Sequence, residues 1–110
     1  MATKTPWYTI RAAGADIVEV LIYGDIGDSW YGESVTAKKF VEDLQAVADQ
    51  KLVVRINSYG GSVADGIAIY NAIQRHPMRK DVAIDGVAVS IASLIAMAGD
   101  TISIAENGLL

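Results

Sequence analysis

The sequence alternates between strand-like runs of β-branched residues and longer segments whose apolar residues recur at helical spacing. The first kind of run predicts strands over residues 16–23, 52–56, 82–85 and 101–104. The second kind predicts a helix capped by Ser34 and running to about Gln50, another from Ser62 to His76, and a third after Ser90. This alternation favours an α/β fold, and periodicity by itself leaves a doubly wound sheet open.

The length of 110 residues predicts a single domain that occupies residues 1–110. The chain is apolar for its size, with 52% hydrophobic residues, only 20% charged residues and a mean hydropathy of +0.30. A complete small domain needs more polar surface than this. The surplus apolar area therefore indicates either a subunit interface or a core face left uncovered in an incomplete domain.

Charge and cysteine content exclude several classes of function. A net charge of −4 and a pI near 4.7 argue against a nucleic-acid partner or an anionic membrane, because both require a cationic surface. With no cysteine, the chain has no disulfide, thiolate nucleophile or sulfur metal site. It shows no secretion signal and no apolar run long enough to cross a bilayer, so a cytoplasmic location is expected.

A serine stands between an apolar strand and a helix of small residues in the segment 85–99, DGVAVSIASLIAMAG. This serine, Ser90, is where a nucleophile would lie. Catalysis would also require a base for its proton and donors for the oxyanion that forms after attack. Taken alone, a serine at the end of a strand is more often a helix cap or a turn residue.

A glycine pair, Gly60-Gly61, follows the strand in the segment 56–62, INSYGGS. Glycine permits a positive φ and leaves the main chain open, so amide groups here can point outward and receive an anion. A plain turn and a phosphate-binding loop are the other interpretations. The segment lacks the lysine of a nucleotide-binding P-loop, which argues against the phosphate loop.

Together these segments closely resemble the proteolytic subunit of Clp protease, particularly the versions encoded by phages and prophages. The resemblance rests on INSYGGSV at 56–63, GIAIY at 66–70, GVAVSIA at 86–92 and AMAGD at 96–100, with weaker similarity in IYGDI at 22–26. Two positions depart mildly from the family pattern. Tyr59 stands where proline is common, and Ala92 stands where glycine is common.

The resemblance implies a crotonase-like spiral of β-β-α units and assigns roles to three residues and a loop. Ser90 matches the nucleophile, and the amides of Gly61 and Ile91 match the oxyanion-hole donors. Gly60, Gly61 and Ser62 match the substrate-binding loop. In the family, the catalytic histidine and aspartate follow in segments that match nothing in this sequence, so the resemblance implies an incomplete domain with little or no turnover.

The implied activity is peptide-bond hydrolysis through an acyl-enzyme, a reaction that itself needs no ATP, metal or other cofactor. The implied partners are a polypeptide substrate, further copies in a ring, an AAA+ unfoldase, and the capsid or scaffold proteins of a phage prohead. Two alternatives stay open. One is a non-catalytic subunit that assembles through its apolar surface, and the other is a crotonase-type enzyme acting on acyl-CoA.

Other residues offer weaker candidates for the catalytic groups. His76 is the only histidine, but it ends a predicted helix beside Pro77 and does not match the family's catalytic position. Four lysines could supply the base of a serine-lysine dyad, but each lies in a polar run that is more simply interpreted as a solvated surface; these are Lys38, Lys39, Lys51 and Lys80. Ser93, one turn after Ser90, is interpreted as a small packing residue. The aromatic pairs Trp7-Tyr8 and Trp30-Tyr31 suit either a partner contact or ordinary packing.

Overall fold

The computed structural model contains a six-stranded sheet with helices packed against it. It describes residues 2–27, 29–30, 33–34 and 37–110. The strands are β1 (Ala2–Lys4), β2 (Tyr8–Gly14), β3 (Ile17–Tyr23), β4 (Ser29–Trp30), β5 (Glu33–Ser34), β6 (Lys51–Ser58), β7 (Lys80–Ala88) and β8 (Thr101–Ile104). The helices are α1 (Ala37–Gln45), α2 (Val63–Arg75) and α3 (Ile91–Ala96). No helix in the described part of the chain is long and apolar enough to span a membrane.

The large sheet has the strand order β1-β2-β3-β6-β7-β8, while β4 and β5 pair as a separate two-stranded sheet. Strands β1, β2 and β3 pair antiparallel, and β3, β6, β7 and β8 pair parallel. Parallel strands need crossover connections, and the segments containing α1, α2 and α3 supply them. The carboxyl ends of the parallel strands consequently meet at one edge of the sheet.

One face of the sheet carries the hydrophobic core. The alternating positions Val20, Val54 and Ile84 are 0–1% exposed and belong to one cluster with the buried residues of the helices. The opposite positions of the same strands are half-buried or exposed. Helices cover only this one face in the described residues, which separates the fold from a doubly wound sheet.

An aromatic cluster fixes α1 to the N-terminal strands. The rings of Trp7 and Phe40 stack with centroids 5.8 Å apart, and Tyr8 meets Phe40 edge-on at 5.1 Å. The Tyr8 hydroxyl donates to Asp43 at 2.6 Å, and burial together with this bond raises the pKa of Tyr8. Trp7 and Tyr8 are therefore ordinary core residues. Tyr31 and the side chain of Trp30 lie outside what the structure describes.

Several predicted boundaries were correct and others were wrong. The strand at residues 101–104, the helix from Ser62 to His76 and the helix after Ser90 are confirmed, the second of them with Ser62 and His76 as its caps. The predicted Ser34 cap is wrong, because Ser34 lies in β5 and the helix begins at Ala37 and ends at Gln45. Residues 16–23 do not form the first strand, since β1 and β2 precede β3.

The face of the sheet opposite the helices is polar and ion-paired near its centre. Arg55 contacts Asp85 through Nε at 2.9 Å and through a terminal guanidinium nitrogen at 2.6 Å, and the Tyr23 hydroxyl also donates to Asp85. The bond to Asp85 raises the pKa of Arg55. Burial and then the same carboxylate raise the pKa of Tyr23. These contacts satisfy the polar groups of a face that none of the described helices covers.

Candidate active site

Three connections meet where the parallel strands end. The segment after β3 contains Gly24 and Ile26, the segment after β6 is the glycine loop at residues 59–62, and the segment after β7 contains Ser90. Backbone hydrogen bonds join them, from the Gly24 amide to Asn57 O at 3.2 Å and from the Ile26 amide to Gly60 O at 2.9 Å. In open α/β sheets, this edge is where ligands usually bind.

Ser90 lies in a sharp turn between β7 and α3. Its φ of 55° and ψ of −132° fall in a region that side chains with a Cβ rarely adopt. The residue is exposed, and it occupies the N-cap position of α3 without a side-chain capping bond. No described residue accepts or donates a hydrogen bond at its Oγ. The capping interpretation is therefore wrong, and the strained turn presents a free hydroxyl, as a nucleophile requires.

A bulge in β7 sets the direction in which the chain approaches Ser90. Ile56 pairs with Ile84 and Ser58 with Ala88, so β7 contains two more residues than β6 over this interval. The Asn57 side chain fills the irregularity, because its Oδ1 accepts the Val87 amide at 3.2 Å. A Cβ on Gly86 would lie 2.5 Å from the same oxygen, so a side chain here would displace the Asn57 amide group. Bulges commonly re-aim the chain beside active sites.

The glycine loop has the backbone that the sequence predicts. Gly60 and Gly61 have φ values of 108° and 145°, in the region that favours glycine. Gly61 forms a parallel bridge with Ile26, in which the bonds run from Ile26 N to Gly60 O at 2.9 Å and from Ser62 N to Ile26 O at 3.0 Å. In such a bridge, the N–H and C=O of the middle residue point away from the partner. The Gly61 amide therefore points away from Ile26.

The glycine loop and Ser90 are in direct proximity. A Cβ placed on Gly60 would lie 3.0 Å from Ser90 Cβ and 3.3 Å from Ser90 Oγ. Behind them, a Cβ on Gly66 would lie 2.2 Å from Ile91 Cγ1, so the first turns of α2 and α3 pack against each other through this glycine. The structure thus brings together the two segments that the sequence singled out.

The backbone amides of Gly61 and Ile91, both near Ser90, have no acceptor among the described residues. The Ile91 amide is the first of α3 and so has no partner within the helix. Free amides beside a nucleophile are the groups that would receive an oxyanion. Ser62 is exposed, and its hydroxyl accepts the Asp65 amide at 3.2 Å, so it caps α2 at the end of the loop.

His76 lies at the opposite end of α2 from the glycine loop. The helix has 13 residues, which corresponds to a length of about 20 Å. The His76 ring is buried, and its Nε2 donates to the Gln50 carbonyl at 2.6 Å. A general base must come within hydrogen-bond reach of the nucleophile. His76 is therefore a structural residue and is not the base for Ser90.

The four lysines considered for a serine-lysine dyad bind other groups, lie far from Ser90 or are exposed. Lys39 pairs with Asp43 at 3.2 Å, and Lys80 donates to the His76 carbonyl at 3.2 Å. Lys51 begins β6, whose eight residues place it about 25 Å from the end that leads into the glycine loop. Lys38 is exposed on α1. Ser93 is more than a packing residue, because its Oγ donates to the Ser90 carbonyl at 2.7 Å.

The sequence interpretation gave no role to Asn57 and Ser58, which the structure places at the centre of the site. Asn57 holds the bulge in β7, and the buried Ser58 hydroxyl contacts Gly24 and Gly60. The signal for them was the change from apolar to polar residues at the end of an otherwise apolar strand, directly before the glycine pair.

The chain belongs to the Clp protease family, because the family model described as Clp protease matches residues 3–105. An ATP-dependent Clp protease proteolytic subunit from Chlamydomonas reinhardtii is 39% identical over 71 residues, which are 64% of this chain and 13% of that protein. The structure of a ClpP1 mutant from Listeria monocytogenes is similar, with a TM-score of 0.61 and 26% identity over 74% of this chain and 46% of that one. The chain thus spans less than half the length of these relatives.

Enoyl-CoA hydratases share the fold at lower sequence identity. One from Shewanella pealeana has a TM-score of 0.71 and 11% identity, covering 96% of this chain and 49% of its own. Another, from Mycobacterium avium subsp. paratuberculosis, has a TM-score of 0.67 and 19% identity, covering 98% and 51%. These similarities confirm the predicted α/β fold of the Clp protease and crotonase-like type, and they concern the fold alone.

Proposed function

We propose that the chain carries the nucleophile and the oxyanion-binding groups of a serine endopeptidase of the Clp proteolytic-subunit type. The observation that carries this proposal is the proximity of the Ser90 side chain to Gly60, together with the strained Ser90 backbone. The resemblance of segments 56–63 and 86–92 to phage and prophage versions supports a head-maturation protease, acting in the cytoplasm or in a prohead.

In the proposed reaction, Ser90 Oγ attacks the carbonyl carbon of the scissile peptide and forms a new C–O bond. The carbonyl electron pair moves onto oxygen, where the Gly61 and Ile91 amides hold the negative charge. The serine proton passes to a base and then to the departing amine as the C–N bond breaks. Water hydrolyses the acyl-enzyme by the reverse sequence of proton transfers.

The substrate in this proposal is an extended polypeptide. The N–H and C=O of Gly61 point away from Ile26 and lie next to an exposed Ser90. A peptide strand pairing with these groups would present its carbonyl to the hydroxyl.

We further propose that the base for Ser90 comes from outside residues 1–110. Within the described residues, His76 and the candidate lysines have other positions and partners. A site that keeps the oxyanion donors but lacks the base retains only a small part of the activity of a full triad. Peptide turnover by these residues alone is therefore expected to be orders of magnitude below that of a complete triad.

Labelling with a fluorophosphonate tests the proposal. We expect slow labelling confined to Ser90, accelerated by high concentrations of imidazole, which replaces the missing base. The variant Ser103→Ala, whose hydroxyl contacts the Val82 carbonyl and not Ser90, should keep this reactivity, and Ser90→Ala should lose it. Equal labelling of the Ser90→Ala variant would exclude Ser90 as the nucleophile, and fast stoichiometric labelling without imidazole would show that a base lies within these residues.

The exposed apolar residues of the helices support a second proposal, assembly into an oligomer. Four large apolar side chains on α2, on α3 and at the C-cap of α3 are exposed to solvent; these are Val63, Ile67, Leu94 and Met97. A surface of this kind suits further copies of the chain or an unfoldase partner. Native mass spectrometry is expected to show oligomers, and a monomer at all accessible concentrations would contradict self-assembly.

A further inference from the structure

Ser58 is a buried serine at the last position of β6, directly before the glycine loop. It is 2% exposed, and its Oγ accepts the Gly60 amide at 3.0 Å and donates to the Gly24 carbonyl at 2.6 Å. Its own carbonyl accepts the Val89 amide at 3.2 Å. One residue therefore joins the segment after β3, the glycine loop and the residue that precedes Ser90.

Two hydrogen bonds, one from Ser58 and one from Ile26, fix the two peptide planes on either side of the Gly60 α-carbon. The first plane contains the Gly60 N–H, which the Ser58 hydroxyl turns inward. The second contains the Gly60 carbonyl, which accepts the Ile26 amide at 2.9 Å. Because a trans peptide is planar, with its C=O and N–H on opposite sides, the Gly61 N–H must point the other way. That direction leads away from Ile26, and Ser90 lies beside the same loop, with its Oγ 3.3 Å from the position that a Cβ on Gly60 would occupy.

We propose that Ser58 is a positioning residue that aims the Gly61 amide at the oxyanion formed at Ser90. This inference rests on the proposed role of Ser90. Without the hydroxyl, the buried Gly60 N–H loses its partner, and only the bond from Ile26 still holds the Gly60 carbonyl. Rotation of the loop to satisfy the free N–H would then turn the next peptide plane as well. The Gly61 amide would then leave the position where the oxyanion develops.

The alternative is that Ser58 merely satisfies polar groups in the core. Thr5 provides the matched comparison, because it is also buried and its hydroxyl accepts the Tyr8 amide at 3.1 Å and donates to the Tyr8 carbonyl at 3.0 Å. Thr5 lies between β1 and β2, and its hydroxyl has no bond to the glycine loop. Loss of either hydroxyl should lower stability, but only the loss of Ser58 should alter the chemistry at Ser90.

The experiment compares Ser58→Ala, Ser58→Thr and Thr5→Val with the wild-type chain in fluorophosphonate labelling with imidazole. We expect Ser58→Ala to reduce the maximal labelling rate by about 10-fold to 100-fold while the half-saturating probe concentration stays the same. Ser58→Thr keeps the hydroxyl and should recover most of the rate. Thr5→Val should melt at a lower temperature and label at the wild-type rate. Equal losses of rate in Ser58→Ala and Thr5→Val would overturn the proposal.

Amide hydrogen exchange tests the same inference without relying on reactivity at Ser90. In the wild-type chain, the Gly60 amide should exchange slowly and the Gly61 amide quickly, and Ser58→Ala should remove the protection of Gly60. A Gly60 amide that exchanges as fast as Gly61 in the wild type would overturn the positioning role. If Ser90 fails to label while this pattern holds, the proposed peptidase function fails and the ordering of the loop by Ser58 stands.

Discussion

At the scale of the residue, the backbone of Ser90 is the feature on which the candidate site depends. A φ of 55° is unfavourable for a residue with a Cβ, and the surrounding contacts must maintain it. The bulge in β7 and the packing of Ile91 on Gly66 supply those contacts. A strained conformation at a free hydroxyl is typical of a nucleophile and unusual for an ordinary surface serine.

The strain at Ser90 predicts that a glycine variant is more stable than an alanine variant at this position, the reverse of the order within a helix. Ser90→Gly should be more stable than Ser90→Ala by about 1–2 kcal/mol, because glycine adopts the positive φ without cost. Ser93 lies within α3 and is the control, since Ser93→Gly should there be less stable than Ser93→Ala by about 1 kcal/mol. Urea unfolding measures all four variants. If alanine and glycine are equivalent at residue 90, the turn is not strained.

A side chain at Gly61 should destabilise the fold more than one at Gly14, because only Gly61 lies against another part of the backbone. Both have a positive φ, of 145° and 153°, but a Cβ on Gly61 would lie 2.4 Å from Ile26 O and one on Gly14 would meet nothing within 4 Å. Gly61→Ala should therefore destabilise the chain by about 2–4 kcal/mol and Gly14→Ala by about 1 kcal/mol. Denaturant unfolding checks this difference, and similar losses for both variants would contradict the close approach of Gly61 to Ile26.

At the scale of the element, the sequence predicted best where a local signal existed. Ser62 and the spacing of α2 identified that helix to within one residue. The hairpin of β2 and β3 was missed, although Gly14 and Asp16, with φ values of 153° and 60°, mark its turn. The start of α1 depends on a tertiary contact, because the Ala37 amide donates to Asp65 in α2 at 3.3 Å. No local pattern reveals a cap supplied from another helix.

The pairing of β7 with β8 includes a carboxylate whose effect on stability depends on pH. The Thr101 hydroxyl donates to Asp81 at 2.6 Å and Arg79 donates at 3.1 Å, so the pKa of Asp81 lies below its usual value. A lowered carboxyl pKa stabilises the folded chain above the usual pKa, and this contribution disappears as the pH falls through the lowered value.

Thr101→Val should therefore raise the pKa of Asp81 and destabilise the chain at pH 7, with a smaller effect at low pH. NMR titration of Asp81 and urea unfolding at both pH values measure these changes. Ser103→Ala in the same strand is the control, because its hydroxyl donates to the uncharged Val82 carbonyl at 3.4 Å and its effect should not vary with pH. A pH-independent loss in Thr101→Val would contradict the charge-assisted bond.

Across the whole molecule, the solved structures that are similar over more of the chain are less similar in sequence. The enoyl-CoA hydratases match over more of the chain than the Listeria protein does, yet with identities of 11–19% against 26%. In this chain, the edge of the sheet gathers the glycine loop and Ser90. The sequence could predict these two segments because each has a local signature. It could not predict that Asn57 and Ser58 hold them, because those bonds exist only once distant strands have paired.

In the proposed site, the Gly61 and Ile91 amides receive the negative charge that develops at Ser90. Backbone amide NMR spectra of the chain before and after phosphonylation of Ser90 test this role. We expect the Gly61 and Ile91 amide protons to shift downfield and exchange more slowly in the adduct, while Gly14 and Gly99 do not change. An adduct on Ser90 that leaves both amides unchanged, or an adduct that forms on another residue, would contradict it.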